Sequence, residues 1–398
     1  MSKYIFISNS TKPTNKEYES LEPITLTNVS RPCLKAAKDM GYDVILGVNR
    51  KYADQLKCEE IDISFYDSHT YRSIFAIKDN YKAYKNLCEV LKQGDVEVIH
   101  CNTPIGGMIG RICGKKYKVP KVIYTAHGFH FFKGASLFNN TILKLAEHLM
   151  ARWTDTIITI NNEDYKAARK MKLKKNGKVY KVNGVGINLD EFKNLNVNRL
   201  VKRKELGLGE DDFILIGVGR IEKNKNYEMS IKAIKNLNNK KIHLLICGDG
   251  VQEKKIKDLT VNLGLEKNIH FLGFRGDIKE LLKISDCYLS SSRREGLSRA
   301  VMEAMASGLP CVVSKIRGNT DLIEENINGF LFQVDSVSEL EQKIYQVVNN
   351  NKNRELMKKN NLIKIKNYDI KEINQNIFDI YNEVIGGENG KDYTCTLE

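Results

Sequence analysis

The strongest constraint on the fold of this 398-residue chain is an alternation of two sequence patterns that runs along it twice. Short runs of apolar, β-branched residues alternate with segments whose apolar residues recur at helical spacing. This alternation predicts an α/β fold in which parallel strands are joined by helical crossovers. In the first run, the predicted strands are residues 4–8, 43–48, 96–100, 121–125, 156–160 and 178–182.

The alternation restarts after the turn at residues 184–186, which predicts a second domain of the same class. The strands predicted there are residues 213–218, 242–246, 269–272, 287–289 and 310–313. We therefore expect two Rossmann-like domains, at residues 1–190 and 191–369. A final helix near residues 370–385 is expected to pack back on the first domain, and residues 386–398 are expected to form a flexible tail.

Composition excludes several classes of protein. Hydrophobic residues make up 42% of the chain and charged residues 28%, which excludes wholesale disorder, collagen-like repeats and membrane-embedded proteins. No apolar stretch approaches the ~18 residues of a spanning helix, and the apolar segment at residues 4–7 is shorter than the roughly 7–15 residues of a secretory signal. We therefore expect a cytoplasmic protein. The nine cysteines include no C-x-x-C pair, which favours reduced thiols over disulfides or a zinc site.

The net charge of +14 is concentrated in one stretch of the chain. Residues 111–181 carry 16 basic and 4 acidic side chains, and residues 166–181 alone carry eight basic and no acidic ones. With the amphipathic segment 138–153, this stretch is expected to contact an anionic membrane surface, where each Lys or Arg contributes up to about 1 kcal/mol. The alternative is a solvated basic face. Nucleic acid is not an expected partner, because no DNA- or RNA-reading motif accompanies the charge.

The most informative segment is residues 290–310, which runs from a strand through a Ser/Gly turn into a helix. It carries Glu295 at the turn and Glu303 eight residues later. In one continuous helix that separation is about 12 Å, more than the roughly 5–9.5 Å between the paired carboxylates of glycoside hydrolases. The two acids are better spaced to hold opposite ends of an elongated ligand. Its phosphates would lie between them, at the helix N-terminal amides of Gly296, Leu297 and Ser298.

In this setting, Glu295-x7-Glu303 resembles the signature of retaining, nucleotide-sugar-dependent glycosyltransferases of the family-4 type (glycosyl transferases group 1). The resemblance covers residues 1 to about 385 and is strongest between 211 and 330. It implies the GT-B fold, in which two Rossmann-like domains face a central cleft. It also implies that Glu303 binds the ribose hydroxyls of the donor and that Glu295 orients the hydroxyls of the donor sugar.

A second motif opens the second domain, where Gly219 is followed by Arg220 and Lys225. A glycine turn followed by fixed cations suits a diphosphate, because the cations neutralise the charge that builds on a leaving pyrophosphate oxygen. The resemblance implies that Arg220 and Lys225 grip the donor diphosphate. The alternative is a solvent-exposed, charged helix start.

Two further turns follow the next two predicted strands. Gly248 and Gly250 follow one strand, and Phe274 and Arg275 follow the other. The G-x-G is incomplete as a dinucleotide fingerprint, because no third glycine follows at the required spacing. The resemblance implies that these turns line the nucleotide, with the backbone at Phe274 and Arg275 meeting the base.

In the first domain, His127 and His130 lie in a loop that follows a strand. At the carboxyl edge of a sheet, they suit hydrogen bonds to a ligand or stabilisation of developing charge. A metal site is not expected, because no third ligand is evident. The resembled family has a histidine matching His127 that reaches the donor sugar. His130 completes a pattern that resembles one common in transferases of capsule and exopolysaccharide assembly.

The loop at residues 9–28 departs from the family pattern. It begins at Ser8-Asn-Ser10 and carries two of the six prolines, where many relatives have a glycine-rich turn. The resemblance implies that this loop helps to hold the acceptor, which assigns Ser10 to the acceptor side. His130, in the later loop, is assigned to the same side. The 9–28 loop is either a substrate lid or an irregular insertion.

The function implied is transfer of a hexosyl or N-acetylhexosaminyl group from a UDP-sugar, with retention and without a metal or other cofactor. The acceptor expected is a lipid-linked or growing surface glycan, in capsular or exopolysaccharide biosynthesis at the inner face of a bacterial membrane. An oxocarbenium-like, same-face substitution is expected, in which the leaving phosphate takes the acceptor proton. The alternatives are a GT-B-fold UDP-N-acetylhexosamine epimerase and a non-catalytic sugar-nucleotide-binding protein.

Overall fold

The computed structural model of the chain describes residues 2–102 and 104–386. The chain divides into two compact units, one formed by the residues up to Gly186 together with those from Lys371 onward, and the other by Ile187–Ile370. The boundaries predicted from the sequence are 190/191 and 369/370. The predicted tail lies outside the described residues from position 387 on.

The first unit contains a seven-stranded parallel sheet. Its strands are β1 (Lys3–Ile7), β2 (Asp43–Val48), β3 (Ser64–Asp67), β4 (Val96–Asn102), β5 (Lys121–Ala126), β6 (Thr156–Thr159) and β7 (Lys178–Lys181). The order across the sheet is β3-β2-β1-β4-β5-β6-β7. The helices of this part of the chain are α1 (Asn15–Glu19), α2 (Arg31–Asp39), α3 (Ile77–Lys92), α4 (Pro104–Lys116), α5 (Lys144–Ala151) and α6 (Asn162–Ala168). A short 3₁₀ turn lies at Ala53–Gln55, and a π-helical segment at Asn139–Leu143 runs directly into α5.

The second unit contains a six-stranded parallel sheet. Its strands are β8 (Phe213–Val218), β9 (Ile242–Cys247), β10 (Ile269–Gly273), β11 (Cys287–Ser290), β12 (Cys311–Ser314) and β13 (Gly329–Phe332), in the order β10-β9-β8-β11-β12-β13. Its helices are α7 (Asp190–Lys193), α8 (Arg199–Glu205), α9 (Tyr227–Leu237), α10 (Glu253–Asn262), α11 (Ile278–Ile284), α12 (Arg299–Ala306), α13 (Asn319–Leu322), α14 (Val337–Asn349) and α15 (Asn351–Lys364). A 3₁₀ turn at Ile365–Tyr368 leads into the last helix, α16 (Ile370–Ile385).

Both sheets are Rossmann-like, as the sequence predicts. Each has a point where the chain reverses the direction in which it adds strands, between β1 and β4 in the first unit and between β8 and β11 in the second. Ligands of open parallel sheets bind outside the carboxyl ends of the strands at this switch point. In the second unit, a ligand site is therefore expected at the loops that follow β8 and β11.

The sequence analysis missed two strands, β3 and β13. Each has four residues and lies at the edge of its sheet, where it pairs on one side alone. In β3, Phe65 is buried and the other three residues are at least partly exposed. A strand of four residues is too short to produce a clear periodic pattern, and pairing with a neighbour decides its conformation.

Apolar side chains on both faces of the second sheet form two separate cores. One core contains Ile214, Ile216 and Leu245, and the other contains Leu215, Leu244 and Ile246. Neighbouring residues of one strand thus enter opposite cores, which explains the continuous apolar runs of β8 and β9. In the described part of the chain, eight cysteines are unpaired, and no helix is long and apolar enough to cross a membrane.

The last helix, α16, is fixed to the first sheet by a buried polar cluster. The Tyr381 hydroxyl lies 2.6 Å from the Tyr4 hydroxyl and 2.5 Å from Nδ1 of His100. The other ring nitrogen of His100 lies 2.8 Å from Oγ1 of Thr125. Burial, and secondarily the nearby His127, lower the pKa of His100 to about 3, so the imidazole is neutral at pH 7. This cluster joins residues from both ends of the chain.

We predict that acid destabilises the folded chain through these histidines. The folded pKa of His100 lies below the unfolded value near 6.5, so the unfolded chain binds more protons below about pH 6.5 and stability falls with pH from there. At pH 5 this one group should remove about 2 kcal/mol of the free energy of unfolding. Urea unfolding at pH 7 and pH 5 measures the loss, and His100→Gln should reduce it by that amount.

His148→Gln is the matched control. His148 lies on α5, partly exposed and outside this cluster, with Nδ1 against the Lys144 carbonyl. The control variant should lose as much stability between pH 7 and pH 5 as the unmodified chain. If His100→Gln lost as much unfolding free energy between pH 7 and pH 5 as the unmodified chain, the prediction would be contradicted.

Candidate active site

The loops that follow β8 and β11 meet at the switch point of the second sheet through an ion pair. Nζ of Lys225 lies 2.8 Å from Oε1 of Glu295, and both side chains are largely buried. From the sequence, Lys225 is expected to bind a diphosphate and Glu295 to bind sugar hydroxyls, with no contact expected between the two side chains. Without a ligand, each charge neutralises the other, which avoids an unpaired buried charge.

Four hydrogen bonds hold the two loops together. The Asn224 side chain donates to the Arg294 carbonyl at 3.0 Å, and the Arg293 amide donates to the Asn224 carbonyl at 2.8 Å. The Ser291 hydroxyl donates to the carbonyls of Lys225 and Asn226. These contacts fix the positions from which Lys225 and Glu295 extend. The sequence analysis did not single out Asn224 or Ser291, since polar residues in such loops are common.

The predicted glycines permit the close approach of backbone segments. Gly248 has a φ of 142°, and a Cβ there would overlap the Gly219 carbonyl. A Cβ at Gly250 would overlap the Ile221 backbone. The Ile221 amide donates to the Asp249 carbonyl at 2.6 Å, so the loops after β8 and β9 are hydrogen-bonded to each other. Glycine is therefore required at Gly248 and Gly250 by the protein's own packing, before any ligand is considered.

Arg220 extends from the same loop without a partner. Its side chain is exposed and makes no hydrogen bond or ion pair with any residue from 2–102 or 104–386. Lys225 of this loop is thus already paired, whereas Arg220 is free to bind an anion.

The helix that follows Glu295 begins later than the sequence predicts. Helix α12 starts at Arg299, and the Ser298 hydroxyl caps it by accepting a hydrogen bond from the Val301 amide at 3.4 Å. The expectation that the amides of Gly296 and Leu297 belong to the first helical turn is therefore wrong. They lie in the preceding turn, because a serine that caps with its side chain is itself non-helical. Among the described residues, these two amides donate to no other group.

Because the turn is not helical, the 12 Å helical separation of the two glutamates does not apply. Glu303 lies inside α12, and its Oε1 accepts a hydrogen bond from Nε of Arg299 at 2.9 Å. The Arg299 side chain is mostly exposed, whereas that of Glu303 is largely buried. Glu303 therefore offers a carboxylate whose present partner is a surface side chain.

A buried arginine, which the sequence analysis missed, supports the Glu295 turn. Nε of Arg317 donates to the Glu295 carbonyl at 3.3 Å, and Arg317 is buried. A Cβ at the neighbouring Gly318 would overlap the Gly296 carbonyl. A sequence signal existed, because Arg317 and Gly318 follow β12 at the same carboxyl edge of the sheet.

The predicted base-binding turn presents an aromatic ring to solvent. Phe274 is 86% exposed. The side chain of Arg275 makes two hydrogen bonds to Asp277, at 2.7 and 2.6 Å, which raise the pKa of Arg275 and occupy its guanidinium. Phe274 and the backbone at this turn are thus the groups available to a ligand.

In the first unit, His127 is a neutral imidazole with one unsatisfied nitrogen. Burial lowers the pKa of His127 to about 4, and Nε2 has no hydrogen-bond partner in the described part of the chain. It lines a cavity of about 20 Å³, shared with Asn102 and Thr125, which has room for about one water molecule. His127 can therefore exchange a hydrogen bond with a ligand without first losing a protein partner.

The residues assigned to the acceptor side are held within the first unit. His130 is half-buried in the loop after β5, where the Phe129 amide donates to Asp164 at 3.2 Å. The Ser10 hydroxyl accepts a hydrogen bond from the Asn49 side chain at 2.8 Å.

The 9–28 loop is tied to the rest of the unit at several points. It contains α1, and the hydroxyl of Tyr18 donates to Asp67 at 2.6 Å. The amide of Ile24 donates to the Lys57 carbonyl at 2.9 Å. The loop is therefore an integral part of the first unit.

Comparison with known proteins identifies two sequence families along the chain. The family described as "Glycosyl transferases group 1" matches residues 198–362, and "Glycosyl transferase 4-like" matches residues 25–161. The chain is 33% identical to the putative glycosyltransferase EpsD of Bacillus subtilis, over 79% of this chain and 82% of that protein. It is 30% identical, over the same shares, to the Escherichia coli UDP-Gal:α-D-GlcNAc-diphosphoundecaprenol α-1,3-galactosyltransferase.

Solved structures match the fold over most of the chain. Anabaena HepE in complex with UDP superposes with a TM-score of 0.73 at 18% identity, covering 96% of this chain and all of that one. WaaG, a glycosyltransferase involved in lipopolysaccharide biosynthesis, superposes with a TM-score of 0.67 at 17% identity, with the same coverage. The chain therefore has the GT-B fold and belongs to the group 1, family-4-type glycosyltransferases.

Proposed function

We propose that this glycosyltransferase moves a sugar from a UDP donor to a lipid-linked or growing glycan, with retention of configuration and without a metal ion. The observation that carries the proposal is the Lys225–Glu295 pair at the switch point of the second sheet, with the unpartnered Arg220 in the same loop. The proposal places the donor at these residues, where fixed cations meet the carboxyl edge of a parallel sheet.

The cations account for binding of a diphosphate. Arg220 and Lys225 supply positive charge from one loop, and the amides of Gly296 and Leu297 supply hydrogen-bond donors from the other. Together they can neutralise the charge that develops on the leaving diphosphate, as Mg²⁺ does in other enzymes. The described residues contain no cluster of three His, Cys, Asp or Glu side chains arranged to hold a metal. We propose that no metal ion is needed because Arg220 and Lys225 supply the positive charge.

Donor binding would exchange partners within the ion pair. A diphosphate that takes hydrogen bonds from Nζ of Lys225 competes with Oε1 of Glu295 for them. The released carboxylate can then accept hydrogen bonds from hydroxyls of the donor sugar. Phosphate binding and sugar orientation are thereby coupled, since one event prepares the other.

The remaining donor contacts follow from side chains that are accessible. Glu303 can exchange its hydrogen bond from the exposed Arg299 for hydrogen bonds from ribose hydroxyls. Phe274 offers an exposed ring beside the backbone assigned to the base. Uracil is favoured as the base because the E. coli relative is named for UDP-Gal and the HepE structure contains UDP.

Retention is proposed from the family resemblance, and a covalent intermediate is not proposed, because the best-placed carboxylate is a poor nucleophile. Glu295 is bonded to Lys225 in the free protein and, in the proposed complex, accepts hydrogen bonds from the sugar. A same-face substitution then suits the site, with the leaving diphosphate accepting the proton of the acceptor hydroxyl. The neutral His127 provides a hydrogen bond to the donor sugar, as the matching histidine of the resembled family does.

A lipid-linked acceptor is proposed from charge and from the named relatives. The E. coli relative acts on a GlcNAc-diphosphoundecaprenol acceptor, and the basic stretch 111–181 suits an anionic membrane surface. We place the reaction at the cytoplasmic face of the membrane, in assembly of a capsular or exopolysaccharide-type glycan. The epimerase and the non-catalytic binding protein are not favoured, since the matched families and relatives are transferases.

We predict that UDP-sugars bind without added metal. In a panel of nucleotide sugars with excess EDTA, one or more UDP-sugars should raise the melting temperature. Ligand at 100 times its dissociation constant should add about 2.7 kcal/mol to the free energy of unfolding. GDP- and ADP-sugars serve as controls. A response that requires Mg²⁺, or no response to any donor, would contradict the proposal.

We predict that Arg220→Ala and Lys225→Ala each lower kcat by roughly 10²–10³-fold, because each removes a charge that stabilises the leaving diphosphate. UDP release in the presence of acceptor measures the effect. Lys223→Ala is the matched control, since Lys223 is an exposed cation of the same loop and should leave turnover within about twofold. Unchanged turnover in Arg220→Ala and Lys225→Ala would contradict the proposal that these residues stabilise the leaving diphosphate.

We predict that the new glycosidic bond keeps the anomeric configuration of the donor. The ¹H NMR spectrum of the product reports the anomeric coupling constant directly. Use of an α-linked UDP-sugar should give an α-linked product. A β-linked product would show inversion and refute the proposed same-face substitution.

A further inference from the structure

A basic pocket lies on the surface of the first unit, outside the candidate active site. It has a volume of about 420 Å³ and lies between α5, α6 and the loop after β5. Four lysines line it, Lys133, Lys144, Lys166 and Lys170, and all four are exposed. None of the four forms an ion pair with another described residue. Four unpaired cations around one concavity indicate an anionic ligand with several negative charges.

The two carboxylates of the pocket do not neutralise these lysines. Oε1 of Glu163 accepts a hydrogen bond from the Lys133 backbone amide at 2.9 Å. Oδ2 of Asp164 accepts one from the Asn161 side chain at 2.7 Å. Both acids are therefore used to hold the wall of the pocket, which leaves the lysine side chains available.

The helix that forms one wall of the pocket also presents an apolar stripe to solvent. The stripe consists of large apolar residues that recur every three or four positions: Phe138, Ile142, Leu145 and Leu149, preceded by Leu137. Leu145 is 69% exposed and Leu137 is 85% exposed. On the adjacent side of the helix, Asn140, Lys144 and His148 line the pocket. One helix thus places apolar and basic groups side by side.

A buried ion pair prevents this helix from turning its apolar stripe inward. Nη1 of Arg111, which is fully buried on α4, lies 2.8 Å from Oε2 of Glu147 on α5. The guanidinium also stacks on the ring of Tyr124, 3.9 Å from its centroid. Rotation of α5 would leave a buried charge unpaired, at a cost of several kcal/mol. The apolar stripe is therefore fixed toward solvent.

We propose that the pocket binds the diphosphate of a lipid-linked acceptor whose hydrocarbon chain lies along the apolar stripe. This inference rests on the proposed function, because it names the part of the first unit that receives the acceptor. A diphosphate carries several negative charges, which the four lysines can neutralise. A polyprenyl-type chain is apolar and can cover the exposed stripe. Interfacial helices with this division of apolar and basic faces lie at the boundary of the bilayer.

The pocket lies close enough to His127 for the glycan of a bound acceptor to reach this residue. The pocket begins at Phe131, four residues after His127 in the same loop. Four residues span at most about 14 Å, so the two positions lie within the length of a short glycan. A glycan attached to a diphosphate in the pocket can therefore extend to the loop that carries His127.

The test measures binding of farnesyl diphosphate by calorimetry. The protein carries Arg220→Ala and Lys225→Ala, so that the probe cannot use the cations assigned to the donor. The further change Lys166→Gln/Lys170→Gln should weaken binding at least tenfold, because it removes two charge-assisted contacts. Lys172→Gln/Lys175→Gln is the matched control, since it removes the same charge from exposed lysines that do not line the pocket. The control should change binding by less than about twofold.

A second pair of variants tests the apolar stripe. Ile142→Gln/Leu145→Gln should weaken binding of farnesyl diphosphate and leave binding of inorganic pyrophosphate unchanged. Phe75→Gln/Ile77→Gln, which changes two exposed apolar residues elsewhere in the first unit, should alter neither. An effect on both probes would indicate loss of the pocket itself and overturn the role of the stripe.

Three results would overturn the proposal. The first is no binding of farnesyl diphosphate, and the second is equal weakening by the two lysine pairs, which indicates a general charge effect. The third is binding to phosphatidylglycerol vesicles that depends on Lys166 and Lys170 with none to farnesyl diphosphate, which identifies a phospholipid site. UDP binding with Arg220 and Lys225 intact tests the proposed function separately, because it does not depend on the pocket.

Discussion

The reversal of strand order between β8 and β11 is the constraint on which the second unit's candidate site depends. It separates the two crossovers and brings the loop after β8 beside the loop after β11 at one edge of the sheet. Lys225 and Glu295, 70 residues apart in the chain, meet there at 2.8 Å. Asn224, Ser291 and the two glycines of the neighbouring loop then hold the backbone in place. The chemistry assigned to the site follows from a topological feature of the sheet.

Three ion pairs of the site are already formed before any ligand binds. Lys225 and Glu295 pair with each other, Glu303 pairs with Arg299, and Arg275 pairs with Asp277. A nucleotide donor would replace the first two of these partners with its own groups, and its diphosphate would also pair with the unpartnered Arg220. Such exchange favours selectivity, because a ligand without a diphosphate or a ribose leaves the original pairs in place.

The sequence predicted the two parallel sheets and most of their strands, because buried strands and amphipathic helices have distinct periods. It missed β3 and β13, whose positions depend on pairing with a neighbour. At the site, it identified the residue types that suit a diphosphate, and it did not foresee that Lys225 and Glu295 contact each other, since that distance depends on two loops. The sequence predicted that the helix begins at Gly296, whereas it begins at Arg299, because the side chain of Ser298 caps the helix. Arg317 was missed although it follows β12 at the same carboxyl edge of the sheet, because a single arginine after a strand does not form a motif.

The buried contact between Tyr381, Tyr4 and His100 has a consequence for the order in which the protein is made. The first unit is not continuous in the chain, because its last helix is synthesised after the whole of the second unit. Domains generally fold as units, the N-terminal one first, as a chain emerges during synthesis. Here the second unit has all of its strands before the first unit receives the hydroxyl that completes its polar cluster. Until then His100 and Tyr4 lack that partner, so a nascent chain holds a finished second unit beside an unfinished first one.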